Sequence, residues 1–305
     1  MFKYIFKRLI ISIPLLLVMA LFTFVIMQKS TGSFYDLLKM DPLISQETID
    51  RYVTMYQLDK PVLVQFFQWL KNMCRLEFGY SFYYNIPVAK VIMGRMGNTF
   101  ILSLSSLLLT WFVAVPLGVL AALHRNRFID RIIQFFSYLS LSTPSFFLAM
   151  LLLYFASRFG FFALGGMHSA DYEEFSFWGR AVDMIRHLAI PTIALSVGSI
   201  GSLQRIMRGN MLEVLGQQYV LTARAKGLPE SRVIYLHALR NAINPLITLL
   251  GYSFSYLISG AALIEIICNW PGLGTLMLTA VRSKDVYLVM ASFMMGGVLF
   301  LLGNL

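Results

Sequence analysis

The stretch TFILSLSSLLLTWFVAVPLGVLAAL, residues 99–123, decides the class of protein to which this chain belongs. Its 25 residues include no Asp, Glu, Lys, Arg or His. A helix rises about 1.5 Å per residue, so roughly 20 apolar residues cross the hydrocarbon core of a bilayer, which is about 30 Å thick. Because that core holds no water to satisfy backbone polar groups, the segment is predicted to span a membrane as a helix.

Five further segments pass the same test of length and apolarity. The six predicted spans cover residues 9–27, 99–123, 132–156, 188–203, 243–264 and 286–303, and none contains an ionisable residue of the five types above. The fourth is short, and its helix is expected to continue through Gln204 and Arg205, because a long Arg side chain reaches towards the lipid headgroups. The predicted fold class is an all-α membrane protein with six transmembrane helices.

Composition and charge agree with this class. Only 13% of the 305 residues are charged and the mean hydropathy is +0.69, whereas a soluble domain is usually about one quarter charged. With a cytoplasmic N-terminus, the inner segments hold 12 of the 25 Lys and Arg residues in 55 positions, about twice the density of the outer segments. The positive-inside rule therefore favours this orientation, and topology explains the net charge of +10 better than nucleic-acid binding does.

The N-terminal third is predicted to be a permanent anchor followed by an outer segment. The first apolar run of 19 residues exceeds a typical signal-peptide core and lacks an Ala-x-Ala exit. Residues 1–98 are read as a transmembrane helix plus a periplasmic segment, and residues 99–305 as a domain of five further helices. Helical spacing over 45–58 and 61–73 indicates two surface helices, either a cap or a docking surface. Cys74 and Cys268 both lie outside, where a disulfide is allowed, although two unrelated cysteines are favoured.

Several function classes lack their chemistry in this chain. Proton-coupled carriers need ionisable groups at membrane depth, and the predicted spans have none. The sequence also has no GxxxxGK[ST] phosphate loop and no HExxH metal motif. The run Gly198-Ser199-Ile200-Gly201-Ser202 only loosely resembles a nucleophile elbow, and small-residue helix packing explains it better. The chain is therefore not expected to be an enzyme, and active transport would need energy from elsewhere.

One basic segment interrupts the apolar pattern. Residues 204–242 are predicted to form two helices, over 209–226 and 230–240, separated at Gly227-Leu228-Pro229 because Gly ends a helix and Pro opens a new element. The second helix carries Val233, Ile234, Tyr235, Leu236, Ala238 and Leu239. Apolar residues surround almost its whole circumference, so protein must cover it. That cover is either this chain's own helix ends or a groove on a separate subunit.

The run Ala223-Arg224-Ala225-Lys226-Gly227-Leu228-Pro229, followed by residues 237–242 (HALRNA), resembles the cytoplasmic EAA loop of ABC importer permeases. The form is that of the dipeptide, oligopeptide and nickel family. Residues 260–265 (GAALIE) and Trp270-Pro271-Gly272-Leu273-Gly274 resemble the outer-end signature of the fifth helix in the same family, with Glu265 closing the first run. Leu221 and Thr222 stand before Ala223, and Arg240 occupies the place of the Pro in the general motif.

The resemblance implies a type I ABC importer permease of the bacterial inner membrane. It implies two homologous permease subunits, two ABC ATPase subunits and a periplasmic or lipid-anchored binding protein, with ATP and Mg held by the ATPases and no cofactor in this chain. Ala223 and Ala225 would allow close approach, and Gly227 and Pro229 would form the turn. Arg224, Lys226, Leu228, Glu230 and Arg232 would complete the ATPase contact.

The implied cargo is a di- or oligopeptide, with nickel or another small solute as the alternative, and a non-transporting membrane scaffold as the alternative from another class. Hydroxyl side chains within or beside the spans are candidates for lining the path. They are Ser103, Ser105, Ser106, Thr143, Ser145, Thr192, Ser196, Ser253 and Ser255. The competing interpretation is that most of them pack between helices and bond to their own backbone.

Overall fold

The computed structural model describes residues 2–29, 47, 50, 53, 54, 60–160 and 162–304, with the backbone alone at 2–6, 9, 29, 251–260 and 302–304. This described part is helical, and its one β element is an isolated bridge between Tyr80 and Pro87. The helices are α1 (Phe2–Lys29), α2 (Val62–Met73), α3 (Val88–Leu123), α4 (Phe128–Ser142), α5 (Ser145–Phe159), α6 (Phe177–Leu215), α7 (Gln218–Ala225), α8 (Glu230–Ala242), α9 (Asn244–Ile267), α10 (Leu273–Arg282) and α11 (Val286–Asn304).

The apolar helices confirm an all-α membrane protein. Helices α1, α3 and α6 are each long and apolar enough to cross a membrane. The pair α4 and α5 and the pair α8 and α9 pass the test when each pair is taken together, and the two pairs are bent by 100° and 43°. The residues that the structure describes thus contain three such helices, or five if each bent pair is one span, and α10 and α11 are shorter.

The third predicted span, 132–156, is apolar enough to cross a membrane only as a bent pair of helices. It divides between α4 and α5 at Thr143 and Pro144, where the two axes bend by 100°. Proline has no N–H to donate, and it forces the residue before it out of the helical region. Thr143 accordingly has φ −94° and ψ 118°, and α5 begins immediately after Pro144.

The fourth predicted span is much longer than the apolar count suggested. Helix α6 runs for 39 residues, so its expected continuation through Gln204 and Arg205 is confirmed. It ends before Gly216, and Gln217 takes extended angles ahead of α7. The predicted helix over 209–226 is therefore wrong as one element, because the flexible glycine gives a poor helix interior and allows the break.

The outer segment is only partly covered by the structure. The predicted helix over 61–73 is confirmed by α2, which starts after Pro61. The helix expected over 45–58 falls mostly outside the described residues, and the side chains of Ser253 and Ser255 do so entirely. Both Cys74 and Cys268 are free thiols, in agreement with the favoured interpretation.

The chain divides into two compact units, apart from its two C-terminal residues. The outer-segment unit comprises Met1–Asn98 and Gly272–Gly303, and the central unit comprises Thr99–Pro271. Within the first, Ala20 and Phe24 of α1, Phe66 and Trp69 of α2, and Met290 of α11 form a buried cluster. The rings of Phe24 and Phe66 lie 5.6 Å apart, which fastens α2 to α1 by aromatic packing.

In the central unit, α4 and α6 pack along a seam of small and polar residues. A Cβ placed on Gly201 would lie 2.1 Å from Ser140 Oγ and 2.7 Å from the Ser137 carbonyl oxygen, so only glycine fits there. Towards one end of the seam, Ser137 Oγ donates to Gln204 Oε1 at 2.6 Å. These contacts allow the two backbones to approach closely.

A buried ion pair closes the same seam. Arg208 Nε and Nη2 donate to the two carboxylate oxygens of Asp130, each at 2.7 Å. The Asp130 side chain is buried, and its Oδ2 also accepts the Asn126 N–H at 2.9 Å. This bidentate geometry ties the start of α4 to the last turns of α6.

Candidate functional site

The basic segment folds into a helical hairpin, defined here as α7, the turn 226–229 and α8. Gly227 has φ +77°, a left-handed conformation that glycine adopts without steric cost. Its N–H donates to the Arg224 carbonyl at 2.9 Å, and the Leu228 N–H donates to the Ala223 carbonyl at 3.4 Å. The next residue, Pro229, is extended (φ −61°, ψ 140°) and precedes the first turn of α8. Glycine thus closes one helix and proline prepares the next.

A small apolar core holds the two arms of the hairpin together. Val220 and Ala223 of α7 and Val233 of α8 are buried in one cluster, with Leu228 of the turn packed against them. Ala223 is therefore placed inside the hairpin, where its small side chain allows close approach of α8. Ala225, two residues later, is exposed.

Helix α8 departs from ordinary α-helical winding. Residues Val233–Leu239 form a π-helix, in which backbone hydrogen bonds span five residues instead of four. Val233 and Ala238, five residues apart, are both fully buried on one side. On the opposite side, Tyr235 is 65% and Leu236 is 54% exposed. The helix predicted over 230–240 is confirmed in position, whereas its wider winding was not predicted.

The charges of the hairpin have different surroundings. Arg224 Nε donates to Glu230 Oε2 at 3.2 Å and Nη2 donates to Oε1 at 2.5 Å, so the ion pair bridges the turn. This hydrogen bonding raises the pKa of Arg224 above its ordinary value. Lys226 in the turn and Arg232 near the start of α8 are both exposed. Glu230, expected in the ATPase contact, is thus already engaged within the chain.

The hairpin is fastened to the central unit through a second apolar cluster. Met207 and Met211 of α6, Ala238 and Ala242 of α8, and Leu246 of α9 are all buried together. In addition, the Asn210 side-chain amide donates to the Ala242 carbonyl at 3.3 Å. Displacement of α8 is therefore resisted by direct packing against α6 and α9.

The second sequence motif, near the end of α9, is also buried. Glu265 is fully buried and accepts a hydrogen bond from Thr99 Oγ1 at 2.6 Å, while its carbonyl accepts the Trp270 N–H at 2.7 Å. Trp270 is fully buried in the core of the central unit, and Pro271 is partly exposed. Further along the chain, Gly272 is the N-cap residue of α10 and Gly274 is buried in its first turn.

The contact between this motif and the loop that precedes α6 was not predicted from sequence. The Gly166 N–H donates to the Cys268 carbonyl at 3.0 Å, and a Cβ on Gly165 would lie 2.8 Å from that same oxygen. Ser169 N donates to the buried Asp183 carboxylate at 3.0 Å. The loop before α6 is thereby fixed at Gly166 and at Ser169. In the sequence, the pair Gly165-Gly166 was the one feature that marked this loop.

The candidate path residues divide into two groups. Ser105 Oγ and Thr192 Oγ1 lie 3.0 Å apart between α3 and α6, and Ser196 Oγ donates to the Thr192 carbonyl. Ser103 and Ser106 are fully buried, and their hydroxyl groups have no hydrogen-bond partner in the described part of the chain. The second group lies at the α4–α5 bend. There the partly exposed Thr143 Oγ1 donates to the Leu139 carbonyl oxygen of α4, and Ser145 is the first residue of α5.

Comparison with known proteins points to one family. The family described as "Binding-protein-dependent transport system inner membrane component" matches residues 114–305. The oligopeptide transport system permease protein AppB of Bacillus subtilis (strain 168) is 38% identical over all of this chain and 95% of its own length. A putative peptide permease protein of Brucella suis biovar 1 is 34% identical with the same coverage of both chains.

A solved structure described as an amino acid ABC transporter with histidines matches with a TM-score of 0.52. The match covers 71% of this chain and 90% of that chain. The sequence identity is 14%, so this likeness concerns the fold alone.

Proposed function

The chain belongs to the family of binding-protein-dependent transport system inner membrane components, and on that premise we propose that it is a multi-pass permease subunit that translocates di- or oligopeptides. Full-length similarity to AppB, named an oligopeptide transport permease, supports the peptide cargo. The importer would be driven by two ABC ATPase subunits, which hold ATP and Mg. A second homologous permease would complete the path, and a periplasmic or lipid-anchored binding protein would deliver the peptide.

The observation that carries this proposal is the outward surface of the hairpin. Tyr219 and Leu221 of α7 are 44% and 46% exposed, and Tyr235 and Leu236 of α8 are more exposed still. Large apolar side chains exposed on both helices of a hairpin are typical of a surface that another protein covers. Because their inner neighbours already form the hairpin core, packing within the described part of the chain leaves these outward side chains exposed.

In this proposal the hairpin faces the cytoplasm and enters a cleft on an ATPase subunit. Arg224, Lys226 and Arg232 would border the contact, and Glu230 would keep Arg224 oriented across the turn. When ATP closes the ATPase pair, the hairpin would move as one piece because Val220, Ala223 and Val233 join its arms. Its motion would reach α6 and α9 through the methionine and alanine cluster behind α8.

The proposed orientation puts the N-terminus and the hairpin on the cytoplasmic side. The motif from Glu265 to Gly274 and the loop that docks on Cys268 would then lie at the outer end. There the buried Glu265 and Trp270 would stabilise the outer end of α9 while the inner end moves. This division between a fixed outer end and a driven inner end suits alternating access.

The test is ATP-dependent uptake by the reconstituted complex of both permeases and both ATPases with its binding protein. We expect labelled di- or oligopeptide to accumulate in proteoliposomes only with ATP on the hairpin side. The double variant Tyr235→Glu with Leu236→Glu should lower ATPase copurification at least tenfold, since each buried apolar side chain contributes about 1.5–3 kcal/mol.

A matched control is Phe128→Glu, which alters a 75% exposed aromatic residue outside the hairpin. It should leave ATPase copurification unchanged. If nickel accumulates and peptide does not, the proposed peptide cargo is wrong. Normal copurification in the double variant would remove the hairpin from the ATPase contact.

A further inference from the structure

The outer-segment unit contains a cavity of about 450 Å³ between α2 and the turn that precedes α3. Its walls include Gln68, Trp69, Asn72 and Glu77, with Gly79 and Tyr287 on the far side. The volume falls within the range of roughly 300–1,000 Å³ that is typical of small-ligand sites. All of these residues belong to one compact unit.

The far wall of this cavity is held by a buried carboxylate. Asp285 is fully buried and accepts hydrogen bonds from Ser81 Oγ at 2.5 Å, from the Tyr83 N–H at 3.1 Å and from the Leu288 N–H at 3.1 Å. The turn after Gly79 is thereby fixed to the start of α11, two residues from Tyr287. A buried carboxyl group that accepts three hydrogen bonds makes this wall preformed.

Glycine is required where the wall closes on the aromatic ring. Gly79 has φ +83°, and a Cβ there would lie 3.2 Å from Cδ1 of Tyr287. The backbone of the turn therefore packs closely against the Tyr287 ring. The Tyr287 ring also packs edge-on against Phe82, with centroids 5.4 Å apart, so the ring position is fixed from both sides.

The opposite wall combines amides with aromatic surface. Gln68 Nε2 donates to Asn72 Oδ1 at 3.4 Å, one helical turn apart on α2. This arrangement leaves the Gln68 oxygen as an acceptor and the Asn72 nitrogen as a donor, the same pair of functions that each peptide group carries. Trp69 and Tyr287 supply apolar faces. Glu77, exposed at the rim, supplies negative charge.

We propose that this cavity binds the amino-terminal end of a short peptide, an inference that rests on the proposed peptide cargo. The peptide ammonium lies beside the Glu77 carboxylate. The first peptide groups pair with Gln68 and Asn72, and the first side chain packs between Trp69 and Tyr287. In the proposed orientation the cavity opens to the outside, so it holds free peptide before the bundle admits it.

The test measures peptide binding to the transporter complex in nanodiscs, without binding protein. The probes are trileucine and N-acetyl-trileucine, followed by isothermal titration calorimetry. Exposed ion pairs contribute about 0.2–1 kcal/mol, so trileucine should bind roughly 1.4- to fivefold more tightly than its acetylated form. Glu77→Gln should remove that preference and leave binding of the acetylated peptide unchanged.

Two further variants separate the charge from the cavity. Glu174→Gln removes an exposed carboxylate of the central unit and should leave the preference for trileucine intact. Ala89→Leu adds volume at the cavity wall and should weaken both peptides, because it acts on space and not on charge.

The proposal is overturned if Glu77→Gln retains the preference for the free amino terminus. It is also overturned if that variant leaves peptide binding unchanged and instead weakens docking of the binding protein. Uptake by the wild-type complex is measured separately. Peptide uptake without cavity binding would remove this inference alone, whereas ATP-driven uptake of nickel with no peptide would remove the proposed cargo.

Discussion

Replacing Gly227 by alanine tests whether the shape of the hairpin turn, and not its composition, couples ATP hydrolysis to transport. The residue has φ +77°, and a Cβ at this position would meet no atom within 4 Å. The substitution therefore adds no clash with a neighbour. Its whole effect is the strain of a left-handed conformation in a residue with a side chain.

That strain amounts to about 1–2 kcal/mol for an ordinary L-residue. The interactions that hold the turn are too weak to offset much of this strain. The Arg224–Glu230 ion pair is 38% and 55% exposed on its two sides, so solvent screening reduces its contribution to at most about 1 kcal/mol. The closing Leu228 N–H···O bond is 3.4 Å long. The native turn should therefore lose roughly five- to thirtyfold in population relative to opened forms.

The assay compares peptide uptake per ATP hydrolysed in proteoliposomes that contain the assembled complex. Gly227→Ala should lower that ratio several-fold while membrane insertion stays normal. Gly227→Asp should also uncouple transport. Gly227→Asn should be milder than alanine, because asparagine tolerates the left-handed region better.

Gly216, between α6 and the hairpin, provides a matched control. It has φ −86°, and an added Cβ would sit 3.5 Å from the Glu213 carbonyl oxygen, which is ordinary van der Waals contact. Gly216→Ala should therefore transport normally. Equal coupling in Gly227→Ala and Gly216→Ala would refute the reasoning, since only the turn geometry distinguishes the two sites.

Three other outcomes follow from buried contacts in the central unit. Gly201→Ala should cost about 1–3 kcal/mol and lower the thermal midpoint of the purified complex, because the added Cβ overlaps α4, while Gly209→Ala, with nothing within 4 Å, should not. Asp130→Asn should destabilise the purified complex by about 1–3 kcal/mol, since it leaves Arg208 without its buried partner. Replacing both residues by neutral ones should recover part of that loss in the same thermal unfolding experiment. Burial raises the pKa of the Cys268 thiol to about 12, so maleimide at pH 8 should label the exposed cysteine and spare this one, as read by mass spectrometry.

Sequence reasoning placed the apolar spans and the hairpin turn because both depend on local signals. The uncharged run 99–123 lies within α3, and the Gly-Leu-Pro run marks the turn between α7 and α8. Within the run 132–156, apolarity alone gave no measure of the 100° bend that the structure places at Thr143 and Pro144. Hydropathy measures the preference of side chains for lipid, and it carries no information about a missing backbone donor.

The remaining differences arise from long-range packing. The π-helical winding of α8 brings Val233 and Ala238 to one side, and no residue of the run VIYLHAL is specific for that winding. Similarly, the Asp130–Arg208 pair joins residues 78 positions apart, so neither residue alone indicates its partner. Sequence patterns report neighbours along one helix, whereas these features depend on which helices meet.

The contacts around the hairpin indicate which interactions can carry force into the bundle. The Arg224–Glu230 pair is solvent-exposed and bridges only the turn, so it orients the surface without connecting it to other helices. By contrast, Met207, Met211 and Ala238 are fully buried and join α6 to α8, and close-packed side chains resist displacement in every direction. A screened charge pair transmits at most its own weak attraction. In the proposed mechanism, this packing is therefore the route by which movement of the hairpin would become movement of α6.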